Sequence, residues 1–278
     1  MKQTHFRVLQ RVYLVLLFSF MYVPIAVMAV FSFNESKSRT LFTGFTTKWY
    51  KSLFHNEMIL SALGLSLVVA LVAAVVATVV GTCAAIGINA MGKRSQAVIN
   101  NISYMPVVNP EIITGVSLML LFVVIKNGFA WANQNLGLAL PENFFGLPTL
   151  IIAHISFCLP YVIFNVSPKL RQLDVRIYEA ALDLGCNPKQ AFFKVVLPEL
   201  TPAILSAFLI CLTYSIDDFL ISYFTSGTTQ TLPIVIYSMT RKKVSPEINA
   251  LSTVMFLVIL AIILTYNYID GRKERRKK

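Results

Sequence analysis

Charge is scarce in this chain. Only 13% of its 278 residues are Asp, Glu, Lys or Arg, about half of the roughly 25% that a soluble domain carries. Acids are the scarcer sign, 13 against 24 basic residues. That shortfall excludes a large soluble core. A cysteine framework is missing too. Cys83, Cys158 and Cys211 sit in apolar runs and Cys186 in a polar loop, with no paired spacing for disulfides or zinc. The first three are expected as small buried apolar residues. No nucleotide site is present either. Residues 87–94, GINAMGKR, approach the phosphate-binding pattern GxxxxGK followed by Ser or Thr. Arg94 stands where the hydroxyl is needed, and a membrane helix replaces the preceding strand. Finally, no A-x-A-like cleavage site follows the first apolar run, which is longer than a secretory signal, so it is expected to be retained.

What the chain does have is long apolar runs. They cover 12–34, 58–92, the stretch between Arg94 and Lys126 broken only by Glu111, 143–168, 201–225 with Asp217 and Asp218 inside it, and 248–269. A membrane-crossing helix needs about 20 such residues, and as a helix each satisfies its own backbone groups in lipid. The expected fold is all-α: a polytopic membrane protein with six transmembrane helices. Residues 1–57 form the first helix and an outer loop, 58–270 the transmembrane core, and 271–278 a basic tail. Six spans put both ends on one side. Sixteen of the 24 lysines and arginines fall there, so both termini are expected in the cytoplasm. The tail GRKERRKK would suit nucleic acid in a soluble protein. Behind a membrane span it is an orientation signal beside anionic lipid, and no nucleic acid is expected.

The second run is rich in Ala, Gly and Ser, which let helices approach closely, so it is expected inside the bundle. In the third, Pro106 and Pro110 around Glu111 predict a kink beside a protein-lined or wet cavity. Trp49, in the segment GFTTKWY, suits either interfacial anchoring or a cation-binding entrance.

The longest polar stretch is 169–199. Leu170, Leu173, Ile177, Ala181 and Leu184 recur at helical spacing. Gly185 then stops the helix and Asn187-Pro188 starts another. Such a helix–turn–helix docks into a partner's groove or lies as an interfacial hairpin on its own bundle. Within it, Glu179-Ala180-Ala181 is followed by Gly185 and then Val195-x-Leu197-Pro198. This resembles the EAA motif of ABC importer permeases, in spacing, residue type and position between the fourth and fifth spans. The segments GFTTKWY, SFCLPYV, DVRIYEAALDLG, SIDDF and LPIVIYSM extend the resemblance to the PotC-type subunits of spermidine/putrescine importers, over nearly the whole chain. Glu111 departs from that pattern, standing where Asp is common, and the second outer loop, 127–146, is longer than in some relatives.

The resemblance implies a type I importer with a MetI-like fold in the bacterial inner membrane. This chain would form half of a polyamine pathway beside a second, PotB-type permease. Two ATPase subunits would carry ATP-Mg, and an extracytoplasmic polyamine-binding protein would deliver cargo. The chain itself would bind no cofactor and catalyse nothing. Glu179, Ala180, Ala181, Gly185, Leu197 and Pro198 would couple it to the ATPases.

A carboxylate in mid-bilayer costs about 2.5–3.5 kcal/mol, so Glu111, Asp217 and Asp218 are functional candidates. They match a polycationic cargo. Adjacent helical residues point about 100° apart, so the two Asp side chains diverge. Tyr214 lies one turn before both, offering cation–π contact, and Ser215 lies one turn before Asp218. The repulsion between neighbouring carboxylates is relieved by an arriving dication. The alternative is a wet helix end at which the Asp pair meets basic loop residues such as Arg241. A secondary carrier would show paired broken helices or repeats, and an intramembrane aspartyl enzyme a GxGD-type partner motif. Neither is evident.

Overall fold

A computed structural model describes residues 2–38, 41–141, 145–242 and 246–277. The elements are α1 (Lys2–Phe31), α2 (Lys48–His55), α3 (Glu57–Asn89), α4 (Lys93–Val108), α5 (Glu111–Leu136), α6 (Leu147–Gln172), α7 (Val175–Asp183) and α8 (Pro188–Ala191). A π-helical turn, Phe192–Val196, leads into α9 (Leu197–Asp217), then α10 (Leu220–Thr225), α11 (Leu232–Lys242) and α12 (Pro246–Lys277). Among the described residues, five helical stretches are long and apolar enough to cross a membrane: Leu9–Phe31, α3, α5, α6 and the continuous Pro188–Asp217. The sixth expected run lies on α12, whose described apolar part is Pro246–Ala261. Residues 143 and 144 of the fourth expected run lie outside the described residues.

The third run differs from expectation. A kinked span over 94–126 was the reading; the chain instead breaks into α4 and α5. Asn109 and Pro110 are both extended, with ψ 137° and 132°. Proline pushes the residue before it out of the helical region, so Asn109 cannot continue α4. Pro106, by contrast, is carried inside α4. Glu111 therefore opens a helix instead of sitting midway along one, where the positive end of the helix dipole favours its charge. Helix α5 runs past Lys126 to Leu136 and stops at Gly137, whose φ is +63°. The expected 127–146 loop shortens accordingly, and α11 lies between the fifth and sixth apolar runs.

The chain divides into two compact units, Ser61–Val235 and Met1–Leu60 with Ile236–Lys278. In the larger unit, α3, α6 and α9 meet through small side chains. Ala74, Ala77 and Ala85 pack with Cys158, Val162 and Val166 and with Ala207 and Cys211. Of the cysteines expected to be buried, Cys158 and Cys211 are; Cys83 is exposed, on the other face of α3. The tightest approach is at Gly81, where an added Cβ would lie 2.6 Å from Val162 Cβ. Gly81→Ala is therefore expected to destabilise the bundle by about 1–3 kcal/mol through overpacking. A lowered melting temperature of the detergent-solubilised chain checks this. A stable single mutant would show that the two helices are not held so closely.

In the smaller unit, α1 and α2 pack on α12. Asn34 closes the loop after α1: Nδ2 donates to Leu41 O at 2.8 Å and Oδ1 accepts from Thr43 N at 2.9 Å. Ser52 Oγ donates to Glu247 at the start of α12. The side chains along Leu9–Phe31 are mostly exposed, Phe20 by 83%, as a lipid-facing helix requires.

Candidate functional site

Helix α9 ends inside the apolar region because Asp218 leaves the helical conformation, with ψ 121°. Its carboxylate then caps the next helix. Oδ1 accepts from Ile221 N at 3.2 Å, and Oδ2 accepts from Ser222 N at 2.7 Å and Ser222 Oγ at 2.8 Å. These bonds satisfy N–H groups that open a helix and otherwise lack partners. Helix α10 lies against α5, where Gly115 makes room: a Cβ there would come within 3.0 Å of Phe224 and 3.3 Å of Leu220 O.

The break opens a cavity of about 430 Å³ in the larger unit. Glu111 from α5, Asp217 from α9 and Asp218 from the break all line it. Phe157 and Tyr161 from α6 and Tyr214 from α9 supply its aromatic wall, and the two Tyr ring centroids are 4.8 Å apart. All three intramembrane acids and Tyr214 thus come together around one space. Asp217 is exposed to it and sits in the last turn of α9, which holds no basic residue. The negative end of that helix dipole opposes its charge. Neither Asp217 nor Glu111 makes an ion pair with Lys or Arg among the described residues. Arg241, considered from sequence as a partner, belongs to the smaller unit and stacks over Tyr237 at 5.8 Å. A volume of this size falls within the range of small-molecule sites, and walls of a single charge sign concentrate the opposite ion.

The polar stretch 169–199 keeps the expected turn but not the expected bounds: Leu170 still belongs to α6, Leu173 is extended with ψ 128° ahead of α7, and α8 runs on through the π-helical turn into α9. Asp174 caps α7, its side chain accepting from Arg176 N at 3.0 Å. Gly185 turns the chain at φ +89°, and Cys186 N closes the helix end on Ala181 O at 3.1 Å. Asn187 and Gln190 form a reciprocal box at the start of α8. Of the apolar stripe, Ala181 is buried, whereas Leu184 is 87% exposed and Ile177 is 49% exposed. Glu179 and Ala180 are exposed. Leu197 and Pro198 begin α9, where proline is tolerated in the first turn. One unbroken helical path therefore leads from this loop to Asp217.

Residues 77–278 match the family of binding-protein-dependent transport system inner membrane components. The putrescine transport system permease protein PotI of Escherichia coli strain K12 is 38% identical over 96% of this chain and 92% of its own length. The spermidine/putrescine transport system permease protein PotC of the same strain is 33% identical over 97% and 96%. The chain belongs to the binding-protein-dependent transport permeases. A bacterial ABC transporter that imports the acidic polysaccharide alginate has the same fold, with a TM-score of 0.74 at 18% identity, covering 98% of this permease and 96% of that chain. It has also been solved with a bound periplasmic protein, at a TM-score of 0.73 and 17% identity over 97% of this permease and 96% of that chain.

Two sequence candidates lie elsewhere in the permease. Ser215 is buried and bonded to His154 Nδ1 at 2.6 Å. Trp49, in the smaller unit, is buried with its Nε1 donating to Asn34 O at 2.7 Å. Sequence reasoning missed Tyr161, Phe157 and His154. All three lie on α6, and a single imidazole inside an otherwise apolar run was the signal for the last.

Proposed function

We propose that this permease is one of two membrane subunits of an ABC importer for polyamines. The observation that carries this is the cavity: three carboxylates and a pair of tyrosines, with no Lys or Arg among the described side chains lining it. An extended aliphatic dication needs separated anionic contacts and aromatic faces along its stem. Relatives named for putrescine and for spermidine/putrescine support the same cargo. The excess of basic residues beside the 169–199 loop and the termini puts both ends in the cytoplasm.

The 169–199 loop docks on an ATPase partner, where the hydrolysis takes place. Its exposed Leu184, Val175 and Phe193 offer the apolar anchors that a groove-binding helix uses. Closure of the ATPases displaces the loop, and α9 transmits that displacement. Its 21 residues span about 30 Å at 1.5 Å per residue. The cavity acids thus sit at the far end of a lever whose near end is the coupling loop. An extracytoplasmic binding protein delivers cargo and a second permease completes the pathway.

Uptake of labelled putrescine or spermidine by proteoliposomes holding the whole assembly tests the reading. Uptake that needs ATP and the loaded binding protein supports it; ATP-driven uptake of only anionic or neutral solutes sinks the cargo assignment. A finer check falls on Gly185. A Cβ there meets no atom within 4 Å, so substitution acts through the backbone alone, at about 1–2 kcal/mol for a non-glycine residue in the left-handed region. Gly185→Ala is expected to reduce the ATPase that co-purifies, and Gly185→Asn to reduce it less. Equal retention in both would remove the turn from the docking geometry.

A further inference from the structure

His154 lies on α6 and is 1% exposed. Its two ring nitrogens reach opposite sides of the α9–α10 break. Nδ1 is 2.6 Å from Ser215 Oγ, near the end of α9. Nε2 is 2.9 Å from Ser222 Oγ on α10 and 3.5 Å from Asp218 Oδ2. The proton positions follow from counting. The Ser222 hydroxyl proton goes to Asp218 Oδ2, so Ser222 Oγ must accept, and Nε2 must carry its hydrogen. In the neutral ring Nδ1 is then an acceptor, and the Ser215 hydroxyl donates to it. One tautomer satisfies every partner.

The arrangement also sorts the two oxygens of Asp218. Oδ2 is occupied by Ser222 N and Oγ, with the imidazole beside it. Among the described residues Oδ1 accepts only from Ile221 N, at 3.2 Å, and the Asp218 side chain is 5% exposed. A carboxylate has about four acceptor positions, so Oδ1 keeps capacity for a further donor. We propose that His154 is a positioning residue for transport: by bridging Ser215 and Ser222 across the helix break, it fixes the Asp218 carboxylate at the cavity wall with Oδ1 left for a cationic cargo. This rests on the polyamine reading above. His154 does not itself line the cavity.

The test uses the reconstituted assembly and reads labelled putrescine moved per ATP hydrolysed. ATPase stimulation by the loaded binding protein is recorded alongside. His154→Phe keeps the ring's bulk but removes both polar links. Ser222→Ala removes the hydroxyl while leaving the Ser222 N–H on Asp218. Both are expected to lower cargo per ATP by about tenfold or more, the effect of losing an outer-shell partner, with ATPase stimulation within about twofold of the parent. His154→Gln, whose amide N–H can stand in for Nε2–H, is expected to recover at least about half of the parent ratio. A parent-like ratio in both His154→Phe and Ser222→Ala overturns the proposal. So does a parallel fall of uptake and ATPase, which marks a merely structural role. Should His154→Phe fail to assemble, Ser222→Ala decides alone. Parent assemblies that hydrolyse ATP but move no polyamine would sink the cargo reading and this proposal with it, a result separable from parent-like variants.

Discussion

Asp217→Asn is expected to cut polyamine uptake by about tenfold or more while leaving the amount of folded protein unchanged. Asp217 lines the cavity, is exposed to it, and has no ion-pair partner among the described residues. No folding interaction is lost when its charge goes. Neutralising it also relieves the unfavourable helix-terminal field, so stability holds or rises. A hydrogen bond to a charged group contributes about 1.5–3 kcal/mol, and 1.4 kcal/mol is tenfold in rate. Asp218→Ala has a different signature. Asp218 caps α10 through three bonds, and loss of a cap costs about 0.5–2 kcal/mol. Both uptake and melting temperature should fall. Measuring uptake at limiting cargo beside thermal stability separates the two residues. Full uptake by Asp217→Asn, at normal expression, would take it out of the pathway.

Glu179→Lys carries the second large effect. Glu179 is exposed on α7, next to Ala180, which is also exposed, and Ala181, which is buried. The substitution touches nothing in the permease's own core, so the fold and cavity stay intact. At a docked surface, juxtaposing like charges costs several kcal/mol. Uptake should therefore fall by about a hundredfold or more, at 1.4 kcal/mol per tenfold, with the ATPase lost from the purified complex. Retained ATPase with normal uptake would place the docking surface elsewhere on the loop.

Much of this was legible because lipid leaves so few options. Charge-free runs of sufficient length marked the spans, and α3 and α6 lie where the runs predicted helices. Gly185 and Asn187-Pro188 predicted the turn and the new helix start within 169–199, since a positive-φ turn and a new N-cap each demand particular residues. The break at Asn109-Pro110 was read only as a kink. Whether a proline bends a helix or ends it depends on what surrounds the freed backbone groups, and sequence does not show that. The convergence of Glu111 with Asp217 and Asp218 was anticipated as chemistry but not as geometry. It depends on α10 folding back against Gly115 of α5, a contact between residues about a hundred positions apart. The role of His154 was hidden for a related reason. Its partners, Ser215 and Ser222, lie 61 and 68 residues away, and only the helix break brings both to one ring.

The most direct measurement compares energy sources in one preparation. Proteoliposomes containing this permease, its companion permease, the ATPase and the binding protein are loaded with ATP-Mg or with none, and an ion gradient is imposed or omitted. Accumulation of labelled polyamine should follow the ATP and ignore the gradient, and should vanish when the ATPase is left out. Accumulation driven by the gradient in vesicles holding this chain alone would contradict the account.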